Sequence, residues 1–211
     1  MTLKKILLVE GGDDKHVFMH VSGNRAGPRF DEIVEHGGIE GLLAASPVRL
    51  KALGDTAIVG IVLDADTDAA ARWQSLRDRV INIGYQDFPR EPNLEGTILD
   101  PPSEPLLPRI GVWMMPDNRS TGILEDFLRF LIPRESPLFE HVTASIAGIP
   151  EGEVRFGELD KPKAIIHTWL AWQAQPGLRL GTAITARYLD PDVSEVDRLV
   201  DWLNRLFTAM Q

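Results

Sequence analysis

Seven residues, Ala57 to Leu63, run without a charged or hydroxyl-bearing side chain and stop at Asp64. A short run that is apolar at every position reads as a strand buried on both faces. Such strands belong to mostly parallel sheets covered by helices. Lys4 to Val9 ends in the same manner, its apolar part closed by Glu10, and Ile110 to Met115 is a third run of this kind. Phe30 to Glu35 alternates apolar and acidic residues and reads as a short strand.

Helical spacing fills the intervals. Val17, Phe18 and Val21 follow the Glu10-Gly11-Gly12 turn, with Asp13 or Asp14 as cap. Ile39, Leu42, Leu43, Leu50 and Leu53 predict a helix interrupted near Pro47 and ended at Gly54. Ala69, Trp73, Leu76 and Val80 predict another, and Ile123 to Leu131 a further one, stopped by Pro133. Ala164 to Trp172 and Val196 to Met210 predict two helices in the tail. Alternating strands and helices define an α/β protein with a mostly parallel sheet flanked by helices and a C-terminal helical extension. The expected division is a core over residues 1–135 and an extension over 136–211, packed on that core. Residues 84–109, rich in proline and glycine, form a long excursion within the core, with a short hairpin expected around Asn93 to Leu99.

The amino terminus carries two lysines and an apolar run, but Glu10 cuts that run short. It reads as a buried strand and not as a secretory signal, so a cytoplasmic protein is expected, with no membrane partner. The chain has no cysteine, which removes disulfides, Cys-ligated zinc and thiol catalysis. The formal net charge is −9. A protein that grips nucleic acid by charge alone carries an excess of Lys and Arg. Any nucleic-acid chemistry here needs metal ions, a partner or a local basic patch.

The chemistry concentrates where strands end. Glu10 closes the first, Asp64 the third, and Asp66 and Asp68 follow Asp64 in the run Asp-Ala-Asp-Thr-Asp. Asp117 follows the fourth, with Glu125 and Asp126 just beyond. Parallel strands bring these ends to one edge, where ligands of open α/β sheets bind. Carboxylates crowded there repel one another unless a cation neutralises them. Oxygen ligands of this type select Mg²⁺, Mn²⁺ or Ca²⁺. Asp14, Asp64 and Asp68 each have the alternative role of helix cap. For Glu125 the choice is between a second metal and a carboxylate favoured by the helix dipole. For Asp117 it is between a turn and a contact to metal-bound water, with Asn118 building the turn.

The segment Leu7 to Asp14, an apolar strand followed by Glu-Gly with an acid four residues after the glutamate, resembles the first motif of Toprim domains. Ile61 to Asp68 resembles the second, Asp-x-Asp at a strand end. Toprim domains occur in topoisomerases, primases, RNA maturases and the OLD family of nucleases. The resemblance implies a Toprim-like core and Mg²⁺- or Mn²⁺-dependent phosphoryl transfer on nucleic acid with one or two ions. Glu10, Asp64 and Asp66 would be catalytic. Glu10, Asp14, Asp64, Asp66, Asp68 and Glu125 would be the metal set. Gly11, Gly12, Lys161 and Lys163 would meet substrate. Met115-Pro116-Asp117-Asn118, then Gly122-x-Leu124-Glu125-Asp126, with Lys161-x-Lys163 beyond, is similar to a Toprim-related family of bacteria and archaea. That likeness carries no activity of its own.

The chain departs from some of these relatives. Tyr85 and Tyr188 read as packing or surface residues, so a topoisomerase is not expected. No Walker-type phosphate loop is present, so an ATPase or other protein partner would act in trans. His16, His36 and His167 lack metal spacing and read as structural. Arg25 and Arg29, in the loop after the first helix, are candidates for substrate contact. Trp169 and Trp172 read as core or partner-facing. The glycines at Gly37-Gly38 permit a turn or a close backbone approach.

An OLD-like nuclease is the leading expectation. Its rivals are a catalytically silent metal-binding module acting through a partner, and a hydrolase of a small phosphate compound. An oligomer is compatible with the sequence.

Overall fold

The computed structural model describes residues 3–208. Strand β3 (Ala57–Asp64) lies at the centre of a five-stranded sheet, as its apolar run requires. Strands β1 (Lys4–Val9), β2 (Glu32–Glu35) and β5 (Arg109–Met115) run parallel to it, and β4 (Thr97–Leu99) pairs antiparallel with β5. The order is β2-β1-β3-β5-β4. The chain leaves β1 toward one edge and returns to β3 on the other side of it. This reversal makes a topological switch point between β1 and β3, the place where open α/β sheets bind ligands. Glu10 and Asp64 stand at the ends of these two strands.

Each strand sends alternate residues to opposite faces. Leu7, Val9, Ile58, Val62 and Trp113 face one layer, made by helices α1 (Gly12–Asn24), α4 (Leu124–Phe130), α6 (Lys161–Ala171), α7 (Leu180–Thr185) and α8 (Ser194–Phe207). Ile6, Leu8, Val59, Ile61 and Val112 face the other, made by α2 (Ile39–Leu53) and α3 (Ala69–Ile81). The C-terminal helices therefore help to cover one face of the sheet itself. On that face Gly60 and Gly111 lie opposite each other in register and form a trough that receives Leu206 of α8.

Four local expectations are corrected. Helix α2 continues through Pro47. The missing amide leaves one carbonyl unpaired, but Leu42, Leu43 and Leu50 are buried around it, and the Ser46 hydroxyl donates to the Leu42 carbonyl at 2.6 Å. The excursion holds the single strand β4 instead of a hairpin. It is pinned by Trp73 Nε1 to the Pro89 carbonyl, Tyr85 to the Pro108 carbonyl and Trp202 Nε1 to the Thr97 carbonyl. Helix α5 (Pro137–Ala147) and α7 are additional to those predicted. The last helix begins at Ser194, and its predicted end at Met210 lies outside the described residues. Among the described residues, no helix is long and apolar enough to cross a membrane.

Candidate metal centre

Glu10 leaves the end of β1 and turns its side chain toward the neighbouring strand, where Oε1 accepts the Asp64 backbone N–H at 2.8 Å. Its own carbonyl accepts N–H bonds from Gly38 at 2.9 Å and His36 at 3.3 Å, so the loop after β2 holds it in place. His36 adds a contact between Nδ1 and the Val9 carbonyl at 3.1 Å. Asp14, in the first turn of α1, accepts the Gly11 N–H at 2.9 Å and is buried. Glu125 enters from the first turn of α4 and is 4 % exposed. Lys163 comes from α6.

These groups line one pocket of about 210 Å³, together with Gly11, Gly12, Asp13 and Gly38. Glu10, Asp14, Asp64 and Glu125 thus share one pocket with Lys163, whose Nζ pairs with Asp160 at 3.5 Å just outside it. The electrostatics record the crowding. Burial, and then the charges of Asp14, Glu10, Glu125 and Asp66, push Asp64 up to about 9. Burial pushes Asp14 up to about 7, with Glu10 and Glu125 adding to it and the Gly11 N–H opposing it. Glu10 and Glu125 are raised, in both cases chiefly by burial. Partial burial pulls Lys163 down, but Glu125, Asp160 and Asp64 outweigh it, and the net direction is up.

A group of acids that cannot all ionise together is suited to a cation. Asp64 Oδ1 is buried and has no hydrogen-bond partner, an acceptor with nothing to accept. The oxygen donors fit Mg²⁺ or Mn²⁺, and Mg²⁺ needs only one or two protein carboxylates. Among the described residues, no three His, Asp or Glu side chains are already closed around one point as a ligand cage.

The remaining candidates stand apart from this pocket. Asp66 is in the left-handed region (φ 49°), and its backbone exchanges hydrogen bonds of 2.9 and 2.8 Å with Gly122. Its carboxylate is paired with Arg72 of α3 at the rim, while its backbone bridge to Gly122 ties the end of β3 to the segment leading to α4. Asp68 caps α3 through the Ala71 N–H at 2.9 Å. Lys161 points to Glu158 at 3.8 Å, not to the pocket. Asp117 builds its turn through the N–H groups of Arg119 and Ser120, and Asn118 is buried with Oδ1 on the Met114 N–H. Arg25 is held by Asp192, Asp197 and the Pro191 carbonyl, away from the pocket. Arg72 was not a sequence candidate. Its signal is a cation one helical turn after the Asp-x-Asp-x-Asp run. Asp68→Ala is expected to lower stability by about 1 kcal/mol through the lost cap and to leave Mg²⁺ affinity at the parent value. Thermal denaturation and calorimetry read the two effects.

The fold and pocket define an α/β protein with an acidic pocket at its switch point. The chain belongs to the family described as "Protein of unknown function (DUF3226)", which it matches over residues 4–208. No curated protein and no solved structure matches it.

Proposed function

We propose that this protein is a Mg²⁺- or Mn²⁺-dependent phosphoryl-transfer enzyme of Toprim type acting on nucleic acid, and specifically an OLD-like nuclease. One observation carries the reading: Glu10, Asp14, Asp64 and Glu125 share a pocket with Lys163 at the β1/β3 switch point, and Asp64 Oδ1 is buried there without a partner. The strand order supports it, because β1 and β3 are neighbours and bring the Glu-Gly and Asp-x-Asp segments together.

Asp64 and Glu10 would hold the principal ion, with Glu125 available to a second. A bound divalent ion supplies Lewis acidity and a nucleophilic water at neutral pH. Where the ion rests on Asp64 alone, Glu10, raised above its ordinary value chiefly by burial, would be free to carry a proton. Lys163 would meet a phosphate oxygen, and Gly11 and Gly12 let the backbone approach the same group. A cytoplasmic setting belongs to this proposal.

The test is cleavage of single-stranded DNA, supercoiled DNA and RNA with Mg²⁺ or Mn²⁺, beside Glu10→Gln and Asp64→Asn. Each substitution is expected to reduce the rate by about 10²-fold or more. Cleavage that survives both rejects the assignment. A second reading has its own support: Arg72 occupies the second carboxylate of the Asp-x-Asp pair. On that reading the protein binds metal without chemistry and acts through a partner, and calorimetry would show metal uptake with no turnover.

A further inference from the structure

A second cavity, of about 760 Å³, runs along α1 from Lys15, the residue after the pocket's Asp14, toward the opposite edge of the sheet, where the Asp31 N–H bonds the Lys5 carbonyl, and plays no part in the scheme above. It lies between α1 and the approach to β2. Lys15, Met19 and Gly23 face it at intervals of four residues, a stripe about 12 Å long on one flank of α1. The opposite wall is the segment from Ala26 to Ile33. The two cavities share α1: Gly12 to Asp14 belong to the pocket and Lys15 begins the cavity. The end of β2 closes on the same turn, since a Cβ at Gly12 would stand 2.9 Å from Glu35 Oε2.

The lining has two characters. Met19, Phe30 and Ile33 give an apolar floor, with Met19 49 % exposed and Phe30 braced edge-on against Phe207. Lys15 and Arg29 give two cations, and neither has a carboxylate partner among the described residues. Two acids also border the space. Asp31 is engaged by the Lys5 N–H at 2.8 Å, and Glu32 lies at the exposed edge. An apolar floor with unpaired cations fits a flat ring carrying a phosphate, and the volume is in the range of small-ligand sites.

We propose that this cavity seats the stretch of bound strand that leaves the carboxylate pocket along α1. A base lies on Met19, Phe30 and Ile33, and the phosphate backbone runs from Lys15 toward Arg29. The proposal rests on the nucleic-acid reading above and names where the strand runs. The local backbone explains why the seat is open: Gly23 has nothing within 4 Å of where its Cβ would be.

That opening supplies the test. Gly23→Trp starts from a Cβ in open space at the cavity wall and replaces a glycine in the last turn of α1, so its melting temperature should not fall. Binding of a fluorescein-labelled hexathymidylate is measured by anisotropy with Ca²⁺ as the divalent ion, with thymidine monophosphate as competitor. Gly23→Trp is expected to weaken binding at least 10-fold. The double variant Lys15→Glu/Arg29→Glu is expected to do the same and to flatten the salt dependence. Parent-like affinity in both variants overturns the proposal, as does a parent that binds no hexamer. Competition by the mononucleotide as effective as by the unlabelled hexamer overturns the strand assignment. Turnover is not read, so a catalytically silent protein, which would sink the nuclease reading, still shows the loss of binding.

Discussion

Without divalent metal at pH 8.5, Asp64→Asn is expected to melt at a higher temperature than the parent, and Mg²⁺ is expected to raise the parent's Tm but not the variant's. The cause is the acid cluster. Asp64 titrates near 9 in the folded protein and from an ordinary value of 3.8 in the unfolded chain. Between those values the folded state keeps a proton that the unfolded state has released, so stability falls as pH rises. Asp14, at about 7 against 3.8, acts in the same direction up to neutrality. His20, lowered by burial and His16, opposes this only around and below its ordinary 6.5. The metal-free parent should therefore lose stability steadily from pH 6.5 to 9, by an amount on the order of a few kcal/mol. An amide at position 64 removes the charge, and the slope should flatten. A bound cation stabilises the folded state according to its concentration over its Kd, so the parent should recover in Mg²⁺. Scanning calorimetry across pH, with and without Mg²⁺, reads all three effects. A parent Tm that rises from pH 6.5 to 9, or an equal Mg²⁺ shift in parent and variant, would contradict the cluster as the cation seat. The same charges that weaken the empty fold are those the proposed chemistry needs, which is a common conflict between stability and function.

The strands and their closing acids were legible because burial leaves a compositional trace. Ala57–Leu63 has no polar side chain since both its faces are covered, and Glu10 and Asp64 mark where two such strands emerge. What happens after emergence was not legible. Asp64, Asp66 and Asp68 look equivalent in sequence, yet the left-handed backbone at Asp66 sends its carboxylate to Arg72, and Asp68 stays with its helix. Lys161 and Lys163 diverge for a geometric reason. Residues two apart on a helix are about 200° apart around it, so only one of the pair can face a given pocket. Helix α5 carries a start signal in Ser136-Pro137, the serine accepting the Phe139 N–H at 3.2 Å, but the helix is short and Val142 is its one fully buried residue. Pro47 was read by its local cost, and the tertiary burial that offsets this cost is invisible in a single sequence. The trough at Gly60 and Gly111 is of the same kind, because nothing in the chain says that two glycines 51 positions apart are neighbours.

That trough sets the second large effect. Gly111→Val is expected to destabilise the protein by about 3 kcal/mol or more, and Leu206→Ala is expected to recover part of the loss. A Cβ at Gly111 would stand 2.5 Å from Leu206 Cδ2, 2.9 Å from Cδ1 and 3.1 Å from Cγ. The whole isobutyl group would have to move, and it is fully buried between α8 and the sheet. Helix α8 cannot simply lift, since Trp202 packs on Trp113 at 5.6 Å between ring centroids and bonds the Thr97 carbonyl. Leu206→Ala alone should cost about 2–5 kcal/mol by leaving a cavity. In the double variant the valine enters that cavity, so the combined loss should be smaller than the sum of the two. Gly60→Ala is the milder control: its Cβ meets the tip of Leu7 at 2.6 Å but Leu206 only at 3.4 Å. Urea unfolding of the four variants and the parent measures the coupling. Strictly additive losses would show that Gly111 and Leu206 do not share one space, and that α8 is held to β3 and β5 by something other than this fit.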